Sequence, residues 1–203
     1  MGKRSSQGKD RARQVLAQEA ARIIVEQGID DFRVAKIKAA ERLGLSARGS
    51  LPGNSEIEHA VGMHLKLFGR ESHRSLLAAM RRAALSAMEI LAAFSPRLVG
   101  PVLNGTAAAN SPVNLHVFSD TPELVALTLD ENRLQYRSFE RRLKSRRDQA
   151  ESFAGFRFLH QDSSIEATVF PVDGMRQAPI SPVDGRPMKR ADSKAVQRLL
   201  DDD

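Results

Sequence analysis

Residues 98–120, LVGPVLNGTAAANSPVNLHVFSD, hold the reading that decides the fold. Two apolar runs, 98–103 and 113–118, have the length of strands and are bounded by Gly, Pro, Asn and Ser. The turn chemistry between them leaves no room for a long helix. Gly105 and Thr106 follow the first run, and the second carries Asn114 and His116 at alternate positions. On a strand, residues two apart share a face, so Asn114 and His116 project together toward whatever Gly105 cradles.

Upstream of this stretch the pattern is helical throughout. Val15, Leu16, Ala20, Ile23 and Ile24 recur at helical spacing over residues 11–27, and Gly28 stands where a C-terminal stop belongs. A second helix is predicted over 32–43, closed by Gly44, and a third from Asn54, which is read as its capping residue with Glu56 and Glu58 in the first turn. The segment between them, SARGSLPGN, reads as a loop, and a long helix follows over 73–94 until Pro96 stops it.

Downstream, Thr121 and Pro122 open a helix over 122–129, and SDTPE makes Asp120 part of that helix entry. Residues 134–143, 153–159 and 165–170 read as three more strands, the last two joined through HQDSS as a hairpin. The tail repeats PVDG at 171–174 and 182–185, which reads as two β-turns, and ends in a short helix over 193–200. The expected class is α+β. A helical N-terminal region (1–72) packs on an α+β domain with a small mixed sheet (73–170), followed by a turn-rich tail (171–203).

Composition narrows the chemistry. The 203 residues contain no Cys and no Trp and a single Tyr, which excludes disulfides, zinc ribbons, cysteine nucleophiles and an aromatic-rich stacking platform. The basic start, MGKRSSQGKDRAR, leads into a segment broken by charges rather than an apolar signal core, and the window 78–94 is interrupted by Arg81, Arg82 and Glu89. The expectation is a cytoplasmic protein with no membrane partner. The formal charge of +6 is uneven, with 17 Lys or Arg against 10 Asp or Glu in residues 1–97 and 14 against 15 thereafter. Together with Arg141, Arg142, Lys144, Arg146 and Arg147, read as a basic connection between strands, this imbalance points to a polyanion such as nucleic acid. Solvated helix faces and basic loops are the plain alternative.

The order helix, strand, Gly-Thr turn, strand, helix and further strands resembles the core of the DNA polymerase beta-like nucleotidyltransferase superfamily. Asn104-Gly105-Thr106 is similar to its Gly-Ser element, Asn114-Leu115-His116 falls where its paired carboxylates stand, and Glu166 in SIEATVF is similar to its third carboxylate. The resemblance covers about residues 73–170. It implies a nucleotidyltransferase if the protein is active, a nucleotide or RNA-like substrate, and Mg²⁺ or Mn²⁺ as cofactor. In that reading Gly105, Thr106 and Asn114 bind phosphate, while His116 and Glu166 act as base or metal contacts. Two Mg²⁺ ions need hard anionic oxygens, and of Asn114, His116 and Glu166 only the last is anionic. The alternative is therefore a non-catalytic nucleic-acid-binding or regulatory protein that keeps the shell of the site.

A second rhythm, AARIIVEQGIDDFRVAKIKAAERLGLSARGS, is similar to a TetR-type helix-turn-helix domain. Pro52-Gly53 interrupts the place of a recognition helix, so Lys36, Lys38, Arg42 and Arg48 are expected to touch phosphates without reading bases.

Overall fold

The computed structural model describes residues 3–29, 31–45, 51–68, 70–146 and 149–202. The chain divides into two compact units. The first holds Met1–His73 with Ala108–Asn110 and Pro182–Asp184, and the second holds Arg74–Ala107, Ser111–Ser181 and Gly185–Asp203. The class is α+β, with helices and one five-stranded mixed sheet.

In the first unit, α1 (Lys3–Gln27), α2 (Phe32–Arg42) and α3 (Asn54–Phe68) enclose a small core of Leu16, Ala20, Ile23, Ala39, Ile57 and Val61. Helix α1 starts well before the predicted residue 11 and ends at Gly28, whose φ of +63° fits a residue without a Cβ. The Asp31 carboxylate caps α2, accepting from the Arg33 and Val34 amides at 2.7 and 3.2 Å. Asn54, expected as the cap of α3, is instead its first helical residue. The Glu56 carboxylate reaches back to the Gly53 amide at 2.7 Å and does the capping, which frees the Asn54 side-chain oxygen to accept from Lys36 Nζ at 2.6 Å.

The helix-turn-helix expectation meets its limit here as well. Helices α2 and α3 are separated by the eleven residues 43–53, where that motif uses a turn of about three to four. Lys36, Lys38 and Arg42 are engaged by Asn54, Gln27 and Glu19 respectively, and Arg48 lies outside the described residues.

The second unit is a sheet with one helical layer. After α4 (Arg70–Ile90) and a 3₁₀ turn (Ala92–Phe94) come β1 (Arg97–Val99), α5 (Pro101–Asn104), β2 (Val113–Phe118) and α6 (Pro122–Glu131). Then follow β3 (Tyr136–Arg146), β4 (Gln149–His160), β5 (Ser163–Phe170), a 3₁₀ turn (Val172–Met175) and α7 (Ser193–Asp201). The strand order is β1-β2-β5-β4-β3, with β2 and β5 parallel and every other pair antiparallel.

The core side of the sheet alternates as a half-buried strand should. Leu115, Val117, Ile165, Ala167, Val169 and Phe158 meet Met80, Met88 and Leu91 of the helical layer in one cluster. Burying each larger aliphatic side chain there contributes about 2 kcal/mol. Strand β2 occupies the predicted span, while the strand predicted over 98–103 stops at Val99. Gly100 turns the chain at φ +74°, and Pro101, with its φ preset and no amide hydrogen to lose, starts the short α5. The HQDSS hairpin is built through Gln161 and Asp162, both at positive φ (45° and 58°), the pattern of a type I′ turn. Thr121 stands at the N-cap of α6 without a side-chain cap bond.

The basic run is not a connection between strands. Arg141, Arg142, Lys144 and Arg146 belong to β3, which runs on through them paired with β4, and Arg147 lies outside the described residues. Alternating side chains and partners on β4 support a strand despite the density of charge, because a strand spreads consecutive cations to opposite faces.

Candidate functional site

The face of the sheet opposite the helical layer is polar. Register sets Val99, Asn114, Glu166, Arg157 and Arg137 side by side across all five strands. One step along, His116 lies beside Thr168 and Arg97. The strand periodicity that joined Asn114 to His116 therefore also brings Glu166, from the neighbouring parallel strand, to the same face.

Glu166 is 4% exposed, and its carboxylate is enclosed by cations. Arg157 Nε donates to Oε1 at 2.8 Å and its Nη2 contacts the same oxygen, while Arg141 Nη2 donates to Oε2. Arg141 Nη1 donates to the Asn114 side-chain oxygen at 2.9 Å, and Asn114 Nδ2 donates to the Pro112 carbonyl at 3.2 Å. The ring of Phe139 lies under both guanidinium groups, 5.2 Å from that of Arg141 and 6.0 Å from that of Arg157. That ring fills the space a Cβ on Gly155 would need, with ring carbons at 2.4 to 2.9 Å from such an atom.

His116 is 1% exposed and packs against Phe170, with ring centroids 4.4 Å apart. Its Nδ1 accepts from Arg190 Nε at 3.1 Å, which fixes a neutral imidazole with its proton on Nε2. Burial, then the nearby Arg190 and Arg141 charges, push its pKa down to about 3. A His in that state is a poor general base near neutral pH.

Arg190 was not marked by any local pattern in the sequence. It stands in the tail that read as a surface wrap, where neither periodicity nor motif singles it out. Its Nη1 donates to the Gly174 and Met175 carbonyls at 2.9 and 3.2 Å, and its guanidinium covers Phe118 and Phe170 at 4.9 and 5.2 Å. Burial, with the Arg97 charge second, lowers its pKa to about 10. Arg190 Nη2 and the Thr168 hydroxyl are buried without a hydrogen-bond partner among the described residues. Each such atom carries a desolvation cost of about 1 to 3 kcal/mol unless water or a ligand supplies the missing bond.

The Gly-Thr element sits elsewhere. Gly105 closes α5 at φ +76°, and a Cβ there would come within 4.0 Å of Arg81 Nη2 and Leu77 Cδ1, both on α4. Thr106 donates its amide to the Pro101 carbonyl at 2.9 Å. The glycine beside Asn114 is Gly100, where an added Cβ would stand 3.5 Å from Asn114 Nδ2. Asp120, at the entry of α6, accepts the Val172 amide at 3.0 Å. Arg142 and Lys144 alternate with Arg141 and so fall on the other face of β3.

These residues do not fit a divalent cation. Both oxygens of Glu166 are occupied by guanidinium groups, and the Nδ1 lone pair of His116 is taken by Arg190. Among the described residues no group of three or more His, Cys, Asp or Glu side chains could hold a metal ion. Arg97, Arg141, Arg157 and Arg190 outnumber Glu166, the buried acid of this face, so its local charge is positive. No helix among the described residues is long and apolar enough to cross a membrane. No protein-family model, curated protein or solved structure matches the chain.

Proposed function

We propose that the protein is a nucleotidyltransferase-like binding protein that holds the phosphates of a nucleotide or nucleic acid through arginines, without a divalent metal. The observation that carries this reading is the Glu166 carboxylate gripped on both oxygens by Arg141 and Arg157. A metal-dependent transferase needs its carboxylate oxygens free to meet a cation, and here guanidinium groups take that place. The same groups suit phosphate, because a guanidinium offers five donors in a planar fork and Glu166 uses only part of them.

The parallel strands that set Asn114 beside Glu166 support the superfamily likeness in outline, the displaced Gly-Thr element does not, and the charge of the row favours binding over transfer. The test is a calorimetric titration of the full chain with ATP, CTP, GTP and short RNAs, with and without Mg²⁺, beside a radiolabelled transfer assay. Binding unchanged by Mg²⁺ and no label transferred is the expected result. Binding that appears only with Mg²⁺, or label transferred above a Glu166→Ala control, overturns the reading in favour of an active transferase.

A further inference from the structure

We propose that the ribbon of β3 and β4 seats the phosphodiester backbone of a single strand of nucleic acid, with Arg137, Arg141 and Arg157 on its phosphates. This rests on the reading that the polar face binds phosphate, and it adds which residues do so and what polymer they fit.

Register places Arg137 directly across from Arg157. Like charges at such a pair, with Cβ atoms about 5 Å apart, are destabilising when nothing lies between them. Glu166 answers Arg141 and Arg157, and no acid pairs with Arg137 among the described residues. Arg137 thus faces Arg157 with no carboxylate of its own among the described residues, and an anion on the outer side of the ribbon relieves the repulsion. Arg157, with its side chain 58% exposed, and Arg137 are fully reachable, while Arg141 is half-buried. Arg157 points Nε and Nη2 down to Glu166, which leaves Nη1 for a ligand. A guanidinium held from beneath by a buried carboxylate loses less rotamer entropy when it binds, so the seat is preorganised.

The shape of this charge selects the occupant. A mononucleotide is usually held in a walled cavity. Two grooves of this unit, each near 660–670 Å³, lie elsewhere, one lined by Arg74, Arg82, Gln161 and Gln197 and the other by Asp120, Pro171, Asp173 and Arg176. Neither includes Arg137, Arg141 or Arg157, and with Arg137 and Arg157 exposed on its outer side the ribbon is an open lane. From Arg137 to Arg141 the lane runs about 13 Å at about 3.3 Å per residue, longer than one phosphate and only two strands, about 5 Å, wide. Across its width the lane is narrower than the grooves of about 6 to 12 Å that separate the two backbones of a duplex. Phe139 and Phe153 on the same face add apolar surface within it.

The experiment is fluorescence anisotropy on the full chain with four labelled probes. They are single-stranded RNA and single-stranded DNA of about 12 nucleotides, a duplex of the same sequence and ATP, titrated between about 50 and about 200 mM salt. Single strands are expected to bind about tenfold or more tightly than the duplex. Arg137→Ala and Arg157→Ala should each weaken them about three- to tenfold and lower the log–log salt slope by about 0.7. Arg142→Ala, on the other face of β3, should change affinity less than about twofold, and its salt slope serves as the comparison. Arg137 is exposed, so its variant keeps the fold and the test survives if Arg157→Ala does not. Wild-type affinity in the Arg137→Ala protein, or a duplex bound as tightly as a single strand, overturns this inference. If ATP or duplex binds while single strands do not, the inference alone falls, and if none of the four probes binds, the phosphate-binding reading falls with it.

Discussion

Along β5, Ile165, Ala167 and Val169 point into the helical layer, while Glu166, Thr168 and Phe170 point to the opposite face, and all six are buried. The first set is held by contact area and shape alone. The second set is held by named bonds, Glu166 to two arginines and Phe170 under the Arg190 guanidinium, with the Thr168 hydroxyl left unpaired among the described residues. Equal burial therefore conceals two kinds of interior. Removing an atom from the apolar side leaves a cavity, whereas changing a group on the polar side alters charges and hydrogen bonds whose balance depends on pH.

Neighbouring residues on β2 give the largest expected contrast. Leu115 is fully buried in the apolar cluster, and Leu115→Ala should destabilise the protein by about 3 kcal/mol through lost transfer energy and the cavity left behind, measured by urea unfolding. A loss below about 1 kcal/mol would mean that the helical layer is loosely packed, and the contrast between the faces would weaken.

Gly155 tests whether the polar face is tight anywhere. A Cβ there would overlap the Phe139 ring, so Gly155→Ala should cost about 2 kcal/mol and displace Phe139 from beneath Arg141 and Arg157. Full stability in that variant would show that the ring moves freely and that the arginine pair does not rely on it.

The last contrast, expressed per pH unit, is the most specific to the polar face. The His116 pKa is depressed to about 3, below the unfolded value of about 6.5, so its contribution is fully present above about pH 6.5. As pH falls toward 3 the unfolded chain takes up a proton that the folded chain refuses. Stability should then decline by about 1.4 kcal/mol per pH unit from this group, the unfolded state binding more protons. In His116→Gln that share of the slope disappears, so unfolding curves of the two proteins between about pH 6 and about pH 4 should converge. Parallel curves would mean that His116 is accessible to protons in the folded state.

The apolar face was legible in the sequence to a large degree. Alternation in residues 113–118 gave β2 its bounds, and the helical spacing of Leu16, Ala20 and Ile23 gave α1 its buried stripe. The errors lie where local signals compete. The apolar run 98–103 looks like one strand, yet Gly100-Pro101 divides it into a strand and a helical turn. The run of cations at 141–147 looks like a loop, and pairing with β4 makes its described part a strand, since tertiary context overrides composition. At the candidate site, Asn114, His116 and Glu166 were singled out by the resemblance to the nucleotidyltransferase core, and alternation put the first two on one face, but their electrostatic partners were not legible. Arg157 is nine residues from Glu166 and Arg141 twenty-five, and neither spacing has a meaning within a single strand.

What the amino-acid sequence determined by itself is the division into helices and strands, the two alternating faces of β2 and β5, and the excess of positive charge. Those properties depend on spacings of two to four residues and on composition, which the chain carries wherever it folds. Only the tertiary structure decided that Glu166 meets two guanidinium groups, that Gly100 and not Gly105 borders Asn114, and that Arg190 reaches His116 from 74 residues away. The reason is physical. Strand register and the path of the tail are set by how the whole apolar face packs, and a one-residue slip in register would send Glu166 to the other side of the sheet.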